Sequence, residues 1–94
     1  MKVVVRQTAD DDLDNIFDWI SLENPDAAIA AVISIRDEIN RLAAPGMQDM
    51  GRPGGDAGTR ELVNTDYNVI IVYEVHAKAQ VIEVLAIFSA LQDR

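Results

Sequence analysis

Gly58-Thr59-Arg60-Glu61-Leu62, followed shortly by Tyr67-Asn68-Val69-Ile70-Ile71-Val72-Tyr73, decides the architecture of this chain. Both runs are rich in residues that suit a pleated, half-buried surface. Three strands are predicted: residues 59–64, 67–76 and 80–88. Asn64-Thr65-Asp66 and Ala77-Lys78-Ala79 are short, turn-compatible joints, so the three should form an antiparallel meander. In the central strand Val69, Ile71, Tyr73 and Val75 point one way, and Ile70 and Val72 the other. A sheet with one wet face alternates apolar with polar, but this run is apolar on both faces until Glu74. Something should cover the second face: the chain's own N-terminal strand or tail, a second copy, or another protein. Exposed apolar surface marks interaction sites, which favours another protein.

Upstream of the meander the pattern turns helical. Val3-Val4-Val5, within residues 2–7, reads as a short strand. Thr8 offers an N-cap hydroxyl with Asp11 three residues on, and Leu13, Ile16, Phe17 and Ile20 follow at helical spacing. A helix over residues 9–22 is expected. Asn24-Pro25 then supplies an N-cap and a first-turn proline. Ala28, Val32, Ile35, Ile39 and Leu42 mark the buried stripe of a second helix, widened by Ile29 and Ile33, which Pro45-Gly46 ends. The short connection makes the two helices an antiparallel hairpin. Residues 47–58 form a long glycine-rich loop, of the kind that is functional or mobile in a compact domain. The layout is α+β: a short N-terminal strand, then an antiparallel helix hairpin packed on an antiparallel β-meander.

Ninety-four residues with 49% hydrophobic content suit a single domain over 1–94 with one core. Cysteine is absent, which removes disulfides and Cys-based metal sites. No stretch approaches a membrane span and no signal-like N-terminus is present, so a cytoplasmic protein without a membrane partner is expected. The net charge of −8 opposes partners rich in phosphate, whose binding is driven by cationic side chains. No direct nucleic-acid binding is expected.

The order of elements resembles the ParE/RelE toxin superfamily, and the resemblance covers nearly the whole chain. It is carried by residues 9–20 with their Asp12-Leu13-Asp14-Asn15-Ile16 centre and by Asn24-Pro25-Asp26-Ala27-Ala28. Further pieces are Gly51-Arg52-Pro53-Gly54, Gly58-Thr59-Arg60-Glu61-Leu62 and Val72-Tyr73-Glu74-Val75. The loop glycines, the Gly-Thr-Arg-Glu-Leu run and the Tyr73 strand stand closer to the ParE side. The resemblance implies the toxin of a type II toxin–antitoxin system, neutralised by a ParD-like antitoxin, in a possible hetero-oligomer. A ParE-like toxin acts on DNA gyrase; a RelE-like one is a ribosome-dependent mRNA endoribonuclease.

Three positions depart from the pattern. ParE-like chains commonly read Tyr-Arg-Val where this chain has Tyr73-Glu74-Val75. In the last strand, Ala86 and Ser89 stand where an Arg and a His are typical. Cleavage of RNA needs cationic groups for the developing charge and a group to handle the 2′-hydroxyl proton. With Glu74, Ala86 and Ser89 in those places, gyrase inhibition by protein contact is expected over nuclease activity, and no catalytic residue is assigned. A family fold retained only as a binding module is the third reading.

Four residues are candidate contacts to target or antitoxin. Arg60 can meet a partner carboxylate or close a strand-end ion pair, and sharing a face with Leu62 puts it at the rim of the core. Arg52 lies in the glycine-rich loop, where a partner can come close. The Tyr73 hydroxyl can orient a partner, or form a peripheral hydrogen bond while the ring packs in the core. Trp19 lies at the edge of the first helix's apolar stripe, a place for an interface anchor or a core border. His76 stands alone beside a turn and makes no metal site. Asp10-Asp11-Asp12 are acids at a helix start, where the backbone dipole favours them. No metal and no cofactor is expected.

Overall fold

Val3-Val4-Val5 presents backbone groups that need a partner strand, and they find it at the far end of the chain. In the computed structural model, which describes residues 1–90, β1 (Lys2–Val5) runs parallel to β5 (Val81–Ser89). Between them come α1 (Gln7–Ser21), α2 (Pro25–Arg41), β2 (Arg52–Pro53), β3 (Thr59–Asn64) and β4 (Val69–His76). The five strands lie in the order β1-β5-β4-β3-β2, with β2 to β5 antiparallel. The expected α+β architecture, helix hairpin and three-strand meander are all present.

The helix hairpin covers one face. Leu13 and Ile16 of α1, and Ala31, Ile35 and Ile39 of α2, are buried with Leu42 against Ile71, Tyr73, Ile82, Val84 and Ile87. Removing a large aliphatic side chain from water contributes about 1.5–3 kcal/mol, so this layer supplies most of the folding drive. The α2 stripe needs one correction. Ala31 belongs in it, while Ile29 and Ile33, expected to widen it, are 52% and 56% exposed. Positions 28, 31, 35, 39 and 42 fall on one side of a 3.6-residue helix; 29 and 33 lie far around it.

The start of α1 also differs from expectation. The helix begins at Gln7, with Arg6 in the cap position and no side-chain cap. Thr8 is inside the helix, and its hydroxyl donates to the Leu85 carbonyl at 3.0 Å. Asp12 accepts from the Ile87 N–H at 3.0 Å. Since β1 ends opposite Val84, the edge of β5 beyond it would be bare. Two α1 side chains continue the pairing that the strand stops making. At α2 the sequence reading holds: Asn24 accepts from Ala27 N–H at 3.1 Å and Pro25 opens the helix.

The turns trim the strands. Asn68 has φ 53° and Gln80 φ 56°, so β4 starts at Val69 rather than residue 67 and β5 at Val81 rather than residue 80. Asn64, fully buried, is satisfied within the turn and across to α2. It accepts from Tyr67 N–H at 3.1 Å and donates to the Ser34 hydroxyl at 3.0 Å. A buried amide left unpaired would cost about 1–3 kcal/mol.

β4 and β5 are not in simple register. Val72 pairs with Ala86 but Tyr73 pairs with Val84, so Leu85 is an extra residue. Such a bulge flips the alternation that follows it. Ile82 and Val84 are buried before it, and Ile87 and Ser89 after it, leaving Leu85 and Ala86 together on the outer side.

Candidate functional site

Three of the four candidate contacts meet at the β2 end of the sheet. Arg60 on β3 and Tyr73 on β4 are cross-strand neighbours on the core face, where both reach the loop that precedes β2. The Tyr73 hydroxyl donates to the Gln48 carbonyl at 2.9 Å and accepts from Gly51 N–H at 3.0 Å. Arg60 donates through Nη2 to the carbonyls of Asp49, at 3.0 Å, and Gly51. Its Nε is buried without an acceptor among the described residues. Tyr73 is fully buried, so its ring belongs to the core and its hydroxyl to the loop. Arg60, half-buried, lies at the core's rim as expected.

This clasp requires a close backbone approach. A Cβ on Gly51 would fall 2.6 Å from the Glu61 carbonyl and 2.7 Å from the Tyr73 hydroxyl. Only glycine lets the loop lie so near β3. The resulting two-residue strand β2, which sequence reasoning left within the loop, puts Arg52 opposite Glu61. They form an ion pair at 3.2 Å with the Arg52 side chain largely exposed. Arg52 is thus the solvent-facing member of the trio.

Trp19 is elsewhere, at the joint between α1 and α2. It is 56% exposed and, with Ile20, Leu22, Glu23, Asn24 and Ala27, lines a cleft of about 280 Å³. Leu22 beside it is 82% exposed.

The face of the sheet turned away from the helices carries a second surface, which the sequence signalled only through the two-sided apolarity of β4. Its rows follow from the register. Val63, Ile70 and Phe88 lie across one row, Glu61, Val72 and Ala86 across the next, and Thr59, Glu74 and Glu83 across a third. Val72, Leu85, Ala86 and Phe88 line an open groove of about 350 Å³ with Gly55, Asp56, Thr59 and Glu61. The apolar members are half-buried. Glu83 receives Arg6 at 3.0 Å and His76 at 3.2 Å. The Arg6 and His76 hydrogen bonds hold its carboxyl below the usual carboxylate range. His76 is exposed, as a surface turn residue should be.

The three departing positions divide between faces. Glu74 and Ala86 are on the outer face, whereas Ser89 is buried opposite Val69. The helix-start acids are also committed. Asp10 lies 3.7 Å from Arg36, Asp11 accepts from Gln7 at 2.9 Å, and Asp12 holds β5. Among the described residues, no group of three potential metal-ligating side chains converges, and no helix is long and apolar enough to cross a membrane.

Comparison with known proteins places this geometry. Residues 3–94 match the family model of the ParE toxin of the type II toxin–antitoxin system, parDE. The chain is 36% identical over 73 residues to Y4kP of Sinorhizobium fredii (strain NBRC 101917 / NGR234), which bears a provisional toxin name. That match spans 78% of this chain and 74% of the relative. Among solved structures, the chromosomal ParDE system from P. aeruginosa superposes with a TM-score of 0.83 at 28% identity, covering 95% of each chain. The isolated E. coli RelE toxin shares the fold, with a TM-score of 0.65 at 11% identity over 99% of this chain and 87% of that one. With the family model spanning nearly every residue, the chain belongs to the ParE toxins of type II toxin–antitoxin systems.

Proposed function

We propose that this ParE-family toxin, a single domain over residues 1–94, arrests growth by binding DNA gyrase through protein–protein contact, and that a ParD-like antitoxin neutralises it. The observation that carries the mechanism is the makeup of the outer sheet face. Glu61, Glu74 and Glu83 stand beside Val72, Leu85, Ala86 and Phe88 there. Phosphoryl chemistry on that face would call for cationic donors aimed at developing negative charge. Arg6 and Arg52, at its margins, are instead turned onto Glu83 and Glu61. An apolar and acidic surface suits contact with protein better than with a phosphate backbone.

Induction in cells lacking the antitoxin tests the reading, with a DNA-damage reporter, microscopy and transcript mapping in parallel. Filamentation with reporter activation is expected, and purified toxin should inhibit gyrase supercoiling. Ribosome-dependent cleavage of transcripts would instead identify a RelE-like endoribonuclease. Normal growth with the protein present and folded would leave a binding module without toxic output.

A further inference from the structure

Glu74 interrupts the outer apolar face. Its strand neighbours on that face are Val72 and His76, and its cross-strand neighbours are Thr59 and Glu83. Glu83 is ion-paired with Arg6 and hydrogen-bonded to His76, and Glu61 is ion-paired with Arg52. Among the described residues no Arg or Lys forms an ion pair with Glu74, and it stands directly opposite another carboxylate. Like charges across a strand pair weaken the sheet. A half-buried acid that breaks the local pattern without internal compensation marks a functional position.

We propose that this outer face docks a partner segment carrying a cationic side chain among apolar ones. The cation sits on Glu74, and the apolar side chains lie over Val72, Leu85 and Ala86 in the adjoining groove. The proposal rests on the reading of the chain as a toxin held by a partner protein, and it names the chemistry of the holding segment as basic and apolar. Charge complementarity selects this occupant. An acidic segment would meet Asp56 in the groove and Glu74 across from Thr59 at its edge, on a chain of net charge −8. A phosphate backbone meets the same repulsion. A second copy laid face to face would set these acids against their own duplicates.

The test titrates isotope-labelled full chain with short synthetic peptides of equal length. In each, leucine and valine alternate with arginine, glutamine or glutamate. The arginine peptide should shift the amides of Val72, Glu74 and Ala86 and bind about tenfold more tightly than the glutamine peptide, with the glutamate peptide weakest. Glu74→Gln should remove most of that difference, and Glu74→Arg should reverse the order of the arginine and glutamate peptides. Equal or tighter binding of the glutamate peptide would overturn the proposal. So would failure of the arginine peptide to bind, its unchanged binding to Glu74→Gln, or shifts confined to the acids of α1. Neither growth arrest nor gyrase enters this measurement, so a failed toxicity assay and a failed docking proposal are separately visible.

Discussion

Arg60 and Tyr73 face each other across β3 and β4 and grip the same loop, Arg60 by the carbonyls of Asp49 and Gly51 and Tyr73 by Gln48 and Gly51. The glycine-rich loop is therefore anchored at its start to the central strand β4 and its neighbour β3. Tyr73→Phe removes both hydroxyl bonds and leaves a buried Gly51 N–H unpaired. A loss of about 1–3 kcal/mol is expected. Urea unfolding measures it, and hydrogen exchange should speed up at Gly51 first. Unchanged stability would show that the clasp contributes nothing to the fold.

Gly51→Ala tests the close approach independently. The new methyl collides with the Glu61 carbonyl and the Tyr73 hydroxyl, and overpacking of this kind costs about 1–3 kcal/mol. The expected signature is local: the pairing of Arg52 and Pro53 with β3 should loosen, with amide shifts at Arg60 and Glu61. Wild-type exchange rates throughout residues 47–61 would contradict it.

Asp12→Ala strips the acceptor from Ile87 N–H on β5. The loss should be about 1–3 kcal/mol. Thr8→Val removes the donor to the Leu85 carbonyl and should cost less, about 0.5–1.5 kcal/mol, because Thr8 is solvent-exposed. The two measured together reveal whether α1 secures the bulge as a unit. A double variant no worse than Asp12→Ala would mean that Thr8 contributes only through Asp12.

Glu83 supplies a pH dependence. Its carboxyl is held below its ordinary value, first by the Arg6 hydrogen bond and next by that of His76. A depressed carboxylate contributes stability above its unfolded pKa and loses it as pH falls through the folded value. The window therefore lies from about pH 4.5 downward. Urea midpoints for wild type and Glu83→Gln should differ near neutrality and converge in acid. A constant gap across that window would exclude linkage through this group.

Much of the fold was legible because it rests on local rules. Asn24-Pro25 started a helix through a cap and a fixed φ, and both act within one turn. The meander followed from β-branched runs separated by short joints, and its antiparallel sense from how little chain those joints contain. The ParE/RelE resemblance rested on the order of such pieces. Arg60 at the core's rim came from strand alternation alone.

Other features needed distant parts of the chain. Thr8 looked like a cap because its neighbours fit the pattern, but the end of β1 left a carbonyl on β5 that offered its hydroxyl a partner. Ile29 and Ile33 fell outside the stripe because α1, together with the sheet, set which side of α2 is buried. The bulge at Leu85 put Ala86 on the outer face and Ser89 inside, which no alternation read along residues 80–88 would announce.

The sequence by itself determined the α+β order of elements, the helix hairpin, the acidic charge and the presence of an apolar second face. Those depend on neighbouring residues and on composition. Tertiary structure alone decided that Tyr73 is spent on the loop, that Arg52 pairs with Glu61, and that Glu74 faces Glu83 with no Arg or Lys ion pair of its own among the described residues. These are pairings across strands, set by register, and register is fixed only when the whole sheet closes against its helices.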